Sequence, residues 1–383
     1  PWPHPLDGIC SPITPNGERM KNIGGMLKQR AVVSPQLEAY VEPSTNVRMS
    51  YAQLNAMANQ CASVLTSLGF GQGDRVALLM PNSVEFCCLF YGAAKIGAVV
   101  VPLNTRLTAP ELAFIVSDSG SKALVYGPAF AETVETIKAD TNHESAITDW
   151  IPVAGGSGSL AQRLETAAAD EPAIECGGAD NLFIMYTSGT TGNPKGVVHT
   201  HDSVHTAAIS NAMTADSRYR DRVLLPLPMF HVAALTTVIF CAMRGITLIS
   251  MPQLDPSKMW SLIIEERVNT AGAVPAVLNF MRQVPEFAEL DKRSRGVVLV
   301  LSMLLRLAES LDRTHTGAIS QVAFREIDDQ NISLEITPVH DCDLELWGVQ
   351  KHEKSFEKTF GRKLQINVAN SAASPVNSTL TIG

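Results

Sequence analysis

Residues 186–201 read YTSGTTGNPKGVVHTH and gather three glycines, four threonines and one lysine directly after the apolar run LFIM. Small hydroxyls and glycines around a single ammonium suit a polyanion. Glycine lets backbone N–H groups converge on phosphate oxygens without side-chain obstruction, and Lys195 brings the charge. The chemistry points to a nucleotide polyphosphate. The spacing is not that of a Walker loop, because Lys195 is followed by Gly196 rather than by Ser or Thr, leaving no hydroxyl placed for magnesium as in that motif.

The elements that must position this loop follow from apolar periodicity. NLFIMYT, 181–187, reads as a strand, so the glycine-rich segment is the loop that leaves it. Upstream, Ser50 can cap a helix through YAQLNAMANQCASVLTSL that ends at Gly69, and RVALLM follows as a short buried strand. A helix over SVEFCCLFYGAAKIG precedes the strand VVVPL. Thr108 with Glu111 makes a capping box with Pro110 inside the first turn, and KALVY is the next strand. This alternation predicts parallel strands joined by crossover helices, so residues 1–290 are expected to be α/β with helices on both faces. AGGSGSL, 154–160, reads as a surface connector, and no internal repeat is present.

Composition restricts the partners. With 383 residues, 45% of them hydrophobic and 18% charged, the chain can bury a large core, and its length favours two or three domains. A net charge of -8 argues against a general binder of nucleic acid or anionic membranes and favours small-molecule substrates. Seven cysteines without a CxxC pair read as reduced thiols of a cytoplasmic protein, with Cys87 and Cys88 in the core. The longest apolar stretches, such as VAALTTVIFCAM, are too short to span a bilayer. PWPHPLDGIC has no signal-peptide pattern and reads as a fragment end.

YTSGTTGNPKGV resembles the signature loop of the adenylate-forming superfamily, the AMP-binding acyl-CoA synthetases and their relatives. YAQLNAMANQCASVLTSLGFGQGDRVALLMPNS, AAKIGAVVVPLNTRLTAPELAFIVSDS and LPLPMFHVAAL agree with that family, and together these stretches cover about residues 20–290. The resemblance implies activation of a carboxylic acid. The carboxylate attacks the α-phosphate of ATP, pyrophosphate leaves, and the acyl adenylate passes its acyl group to coenzyme A. Two anions approach one another only where positive charge and hydrogen-bond donors are dense. By resemblance, Thr187, Ser188, Gly189, Thr190, Thr191, Gly192 and Lys195 embrace the β and γ phosphates, and His231 borders the acyl and adenylate pocket. Ala234 stands where many relatives carry glycine, a departure that bears on the shape of the acyl tunnel.

The family's second half is another matter. Its Tyr-Gly-x-Thr-Glu motif, whose glutamate helps hold Mg2+, its Thr-Gly-Asp ribose motif and its C-terminal domain with a catalytic lysine are not in this chain, which has no Thr-Glu dipeptide. FGRKLQI, 360–366, lacks the aspartate that should follow the family's Gly-Arg hinge.

After a junction at 291–297 the pattern changes. VVLVLSMLLRLAESLDRTH reads as a helix, ISQVAFREID and NISLEIT as a hairpin, DLELWGVQKHEKSFEKTFG as a second helix closed by Gly361, and KLQINV as a last strand. LLRLAESLDRTH and LELWGVQKHEKSFEKTFGRKL resemble the C-terminal HD-type region of exopolyphosphatase and guanosine pentaphosphate phosphohydrolase, which makes 298–368 a small α+β module and the chain a chimera. An HD metal site needs a histidine, a His-Asp doublet and a later aspartate; Asp312 matches the last of these, but the doublets His201-Asp202 and His340-Asp341 are not in the expected order. His199, His201 and His205 form another tempting trio, read here as part of the strand after the loop without the ligand cluster of a zinc site. No metal ligand is therefore expected. Residues 369–383 read as a disordered tail.

Three functions are thus in view: an ATP-dependent acid-CoA ligase incomplete in this chain, a noncatalytic nucleotide-binding remnant, and a polyphosphate-related module. The expected partners are ATP, a carboxylic acid and CoA, together with a second copy or a partner chain to cover surface left by the missing half.

Overall fold

The computed structural model describes residues 22–173, 176–187, 193–215, 217–271, 275–285, 287, 292–314 and 316–369. Contacts divide the chain into two compact units, Pro1–Gly272 and Ala273–Gly383.

The first unit begins with α1 (Ile23–Val33), β1 (Glu38–Glu42), β2 (Val47–Ser50), α2 (Tyr51–Ser67) and β3 (Arg75–Leu79). It continues with α3 (Val84–Lys95), β4 (Val99–Pro102), α4 (Ala109–Ser119), β5 (Ala123–Tyr126), α5 (Ala131–Lys138), β6 (Asp149–Pro152) and α6 (Leu160–Thr166). The strand pair β7 (Asn181–Thr187) and β8 (Lys195–Thr200) leads to α7 (His201–Thr214). Then come β9 (Arg222–Leu225), α8 (Val232–Arg244), β10 (Thr247–Ser250), α9 (Pro256–Glu265) and β11 (Thr270–Ala271).

Two sheets result. One has the order β6-β5-β3-β4-β7-β8, the other β11-β9-β10-β1-β2. The expected parallel pairing holds across most of each, but β8 runs antiparallel to β7 and β2 antiparallel to β1. The sheets are therefore mixed, a correction to the all-parallel expectation: apolar periodicity reports which faces are buried and carries no strand direction. Strands buried on both faces explain the continuous apolar runs. Val76 and Leu78 of β3 enter the large core shared with α2, α3 and α8, while Ala77 and Leu79 enter a second core with α4 and α5.

Helix α3 is buried on nearly every side, which its apolar sequence requires. It packs on α2 at Gly92, where a Cβ would lie 2.7 Å from the Ala58 carbonyl oxygen. Two caps stand as expected: Ser50 with Gln53 closes a capping box on α2, and Thr108 with Glu111 does so on α4.

The second unit contains α10 (Pro275–Met281), α11 (Lys292–Leu311), β12 (Ile319–Glu326), β13 (Asn331–Pro338), α12 (Asp343–Gln350), α13 (Glu353–Phe360) and β14 (Lys363–Val368). The expected hairpin is β12–β13, and β14 adds in parallel to β13. Leu334, Ile336 and Leu364 on the sheet meet Met303, Leu307, Val349 and Phe356 from the helices. The single helix expected over 343–361 is two helices, broken at Lys351 and His352, with Gly361 ending the second in a left-handed conformation. Helix α11 starts at Lys292, so most of the expected junction is helical. The tail from residue 370 onward lies outside the described residues, as does PWPHPLDGIC.

Among the described residues no helix is long and apolar enough to cross a membrane. The described cysteines, Cys87 and Cys88 among them, are buried free thiols.

Candidate functional site

Strands β7 and β8 are antiparallel and consecutive in the chain. Thr187 ends β7, Lys195 begins β8, and the two are cross-strand partners at the mouth of the hairpin, both exposed. Ser188, Gly189, Thr190, Thr191 and Gly192 lie outside the described residues. Because β3, β4, β5 and β7 are parallel, the mouth opens at their shared carboxyl end. Open α/β sheets place ligands in the crevice outside that end.

The base of the hairpin is braced by residues to which sequence reasoning assigned no role. Tyr186 faces Gly196 across the pair, and a Cβ on Gly196 would come within 2.9 Å of Ile184 and 3.1 Å of the Tyr186 ring. The glycine after Lys195 is thus the floor on which the tyrosine lies. The phenol donates to the Asp118 carboxylate at 2.6 Å, and burial together with that carboxylate raises its pKa well above the usual range. The hairpin is thereby tied to the end of α4.

His231 enters from the other sheet. It stands at the N-terminal cap position of α8, on the segment that leaves β9, and its ring lies 4.6 Å from the Phe230 ring. Desolvation by its neighbours, and then the nearby Arg106 guanidinium, hold the imidazole of this exposed residue below the ordinary histidine range. Arg106, on the segment that leaves β4, is a cation sequence reasoning did not single out. Ala234, one turn into α8, is fully buried. The carboxyl ends of the two sheets are joined by Asn82, just beyond β3, whose side chain bonds to Leu227, Met229 and Met251 beyond β9 and β10. Asn82 lies in the family-like stretch that ends MPNS, but its partners are far along the chain and the sequence does not show what it holds.

The histidine trio separates. His199 stacks on Phe183 with ring centroids 4.5 Å apart. His201 does not belong to the strand: it opens α7, is fully buried, accepts the Ile23 N–H at Nδ1 (3.1 Å), and has Nε2 3.7 Å from the Cys176 sulfur. Burial lowers its pKa to about 4. In the second unit Asp341 accepts the Asp343 N–H at the start of α12. Among the described residues no three His, Cys, Asp or Glu side chains gather as a metal ion would need.

A family model described as AMP-binding enzyme matches residues 27–327. The chain belongs to the AMP-binding enzyme family. The long-chain-fatty-acid–CoA ligase FadD13 of Mycobacterium tuberculosis is 73% identical to it over 272 residues, which are 71% of this chain and 53% of that protein. A feruloyl-CoA synthase from an Amycolatopsis species is 31% identical over 282 residues, 73% of this chain and 54% of the relative. An inhibitor-bound crystal structure of the N-terminal domain of FACL13 from Mycobacterium tuberculosis matches with a TM-score of 0.68 and 73% identity, covering 71% of this chain and 67% of that one. This AMP-binding family chain spans about half the length of the curated relatives it matches.

The exopolyphosphatase resemblance of residues 298–368, and with it the chimera reading, finds no support in these comparisons. Its basis was helix and hairpin texture, which many small α+β modules share, and the family match itself runs into that region. Among the described residues no three His, Cys, Asp or Glu side chains gather, and Mg2+ at nucleotide sites is held largely by phosphate oxygens and water, so the protein need supply few ligands.

Proposed function

We propose that this chain is the nucleotide-holding part of an ATP-dependent acid-CoA ligase whose acid is a fatty acid. The observation that carries the proposal is the hairpin mouth, Thr187 opposite Lys195 at the carboxyl ends of the parallel strands, with the YTSGTTGNPKG sequence closing it. The name of the 73% identical relative supports the fatty acid.

In this reading Thr187, Ser188, Gly189, Thr190, Thr191, Gly192 and Lys195 hold the β and γ phosphates of ATP, brought in as its Mg2+ complex. Backbone N–H groups and one ammonium offset the charge that otherwise repels the incoming carboxylate. His231 and Arg106 border the place where the carboxylate and the α-phosphate meet. A histidine held neutral there can pack against the acid or accept a hydrogen bond without adding charge. Residues 1–290 are the incomplete AMP-binding part and 298–368 a small appended module. The chain works in the cytoplasm, which its buried free thiols support.

The ribose aspartate, magnesium glutamate and C-terminal lysine of the family pattern are missing, so this chain alone binds nucleotide without completing the reaction. ATP–pyrophosphate exchange over a panel of carboxylic acids tests this division. The expected result is no acid-dependent exchange and no acyl-CoA. Acid-dependent exchange that disappears in Lys195→Ala would show that the missing motifs are dispensable.

A further inference from the structure

Asn82 stands between the carboxyl end of β3 and the N-terminus of α3, whose cap is the next residue, Ser83. Its side chain is 3% exposed. Nδ2 donates to the Leu227 carbonyl at 2.9 Å and to the Met251 carbonyl at 3.0 Å, while Oδ1 accepts the Met229 N–H at 2.6 Å. Three bonds thus run from the six-stranded sheet to the segments leaving β9 and β10 of the five-stranded one. A shorter or apolar side chain would leave buried amide and carbonyl groups without partners.

The segment held in this way is PLPMFH, 226–231. Pro226 and Pro228 have no N–H to donate, so the segment is poorly equipped to fix itself by backbone bonds. It makes one turn bond, from the His231 N–H to the Pro228 carbonyl at 3.0 Å. Met229 and Phe230 are buried, and His231 emerges exposed immediately after them. The Met229 anchor is therefore two residues from the exposed His231 imidazole.

We propose that Asn82 is a positioning residue for the acyl end of the site: by clamping Leu227, Met229 and Met251 it sets where His231 meets an acyl adenylate. The proposal rests on the functional reading given above for His231. The phosphate grip belongs to a different element, the β7–β8 hairpin. Loosening the clamp then weakens recognition of the acyl adenylate and spares the hold on the triphosphate.

The test compares wild type, Asn82→Ala and Asn82→Asp in their affinity for ATP and for a non-hydrolysable acyl-sulfamoyl adenosine, with amide hydrogen exchange followed at Met229. Asn82→Asp keeps the acceptor for Met229 and sets a carboxylate oxygen against two carbonyls. The expected result in both variants is an affinity for the acyl analogue lower by about tenfold, little change for ATP, and faster exchange at Met229. Equal loss for both ligands, or unchanged analogue affinity despite faster exchange, overturns the positioning role. A wild type that binds neither ligand removes the functional reading, whereas a wild type that binds both beside unaffected variants removes the clamp alone. If neither variant folds, the unmodified protein decides: protection of the Met229 amide supports the clamp and free exchange overturns it.

Discussion

His201 shows how a single buried group sets a pH dependence. Its ring is closed in by the Ile23 N–H and the Cys176 thiol, and burial keeps it neutral, with its pKa lowered to about 4. The unfolded chain binds a proton at this histidine near pH 6.5, whereas the folded chain does not until about pH 4. Its contribution is therefore fully present above pH 6.5 and is lost progressively as the pH falls towards 4. The loss amounts to up to about 3 kcal/mol. In His201→Asn, the amide oxygen can still accept the Ile23 N–H but nothing titrates there. Urea midpoints from pH 7 to 4 are expected to fall less steeply in the variant than in wild type. Parallel slopes would mean that His201 is already protonated in the folded state. The role of this residue was hidden in the sequence, where VHTH looks like a run of ligands, because Ile23 and Cys176 reach it from far along the chain.

At the scale of elements, α2 and α3 depend on one close approach. A methyl at position 92 would meet the Ala58 carbonyl oxygen at 2.7 Å and the Ala62 nitrogen at 2.9 Å, both backbone atoms that cannot turn aside. Gly92→Ala must push the helices apart, and it is expected to lower stability by about 1 to 3 kcal/mol in a denaturant titration. A stability equal to or above wild type would show that the pair is looser than described. The gain in helix propensity from alanine, about 1 kcal/mol, works in the opposite direction and sets the scale to be overcome.

Helix starts were legible because a cap is local: Ser50 with Gln53 and Thr108 with Glu111 lie three residues apart. The direction of β8 was not legible, because alternating burial reads the same for either direction. The break at Lys351 and His352 has no glycine or proline of its own, and Gly348, in the last turn of α12, reads equally as a glycine inside a helix. At the site the same contrast holds. The glycine- and threonine-rich stretch proposed for the phosphates is continuous in sequence, whereas the partners of Asn82 lie 145 to 169 positions away.

At the scale of the molecule, the first unit brings the carboxyl ends of two sheets to one place and fills the angle between them with α3. That arrangement places the β7–β8 hairpin of one sheet and the His231-bearing segment of the other at the carboxyl ends of their strands, the positions proposed above for ATP and the acid. The chain spans about half of the curated relatives it matches, and the motifs expected in the remaining half are not in its sequence. The central claim concerns Lys195 at the mouth of the hairpin and is best tested by calorimetric titration of Mg-ATP into wild type and Lys195→Ala. Wild type is expected to bind, and the variant to bind at least about tenfold more weakly through loss of one charge-assisted phosphate contact, with its melting temperature unchanged. Equal affinity in the two proteins would contradict the account.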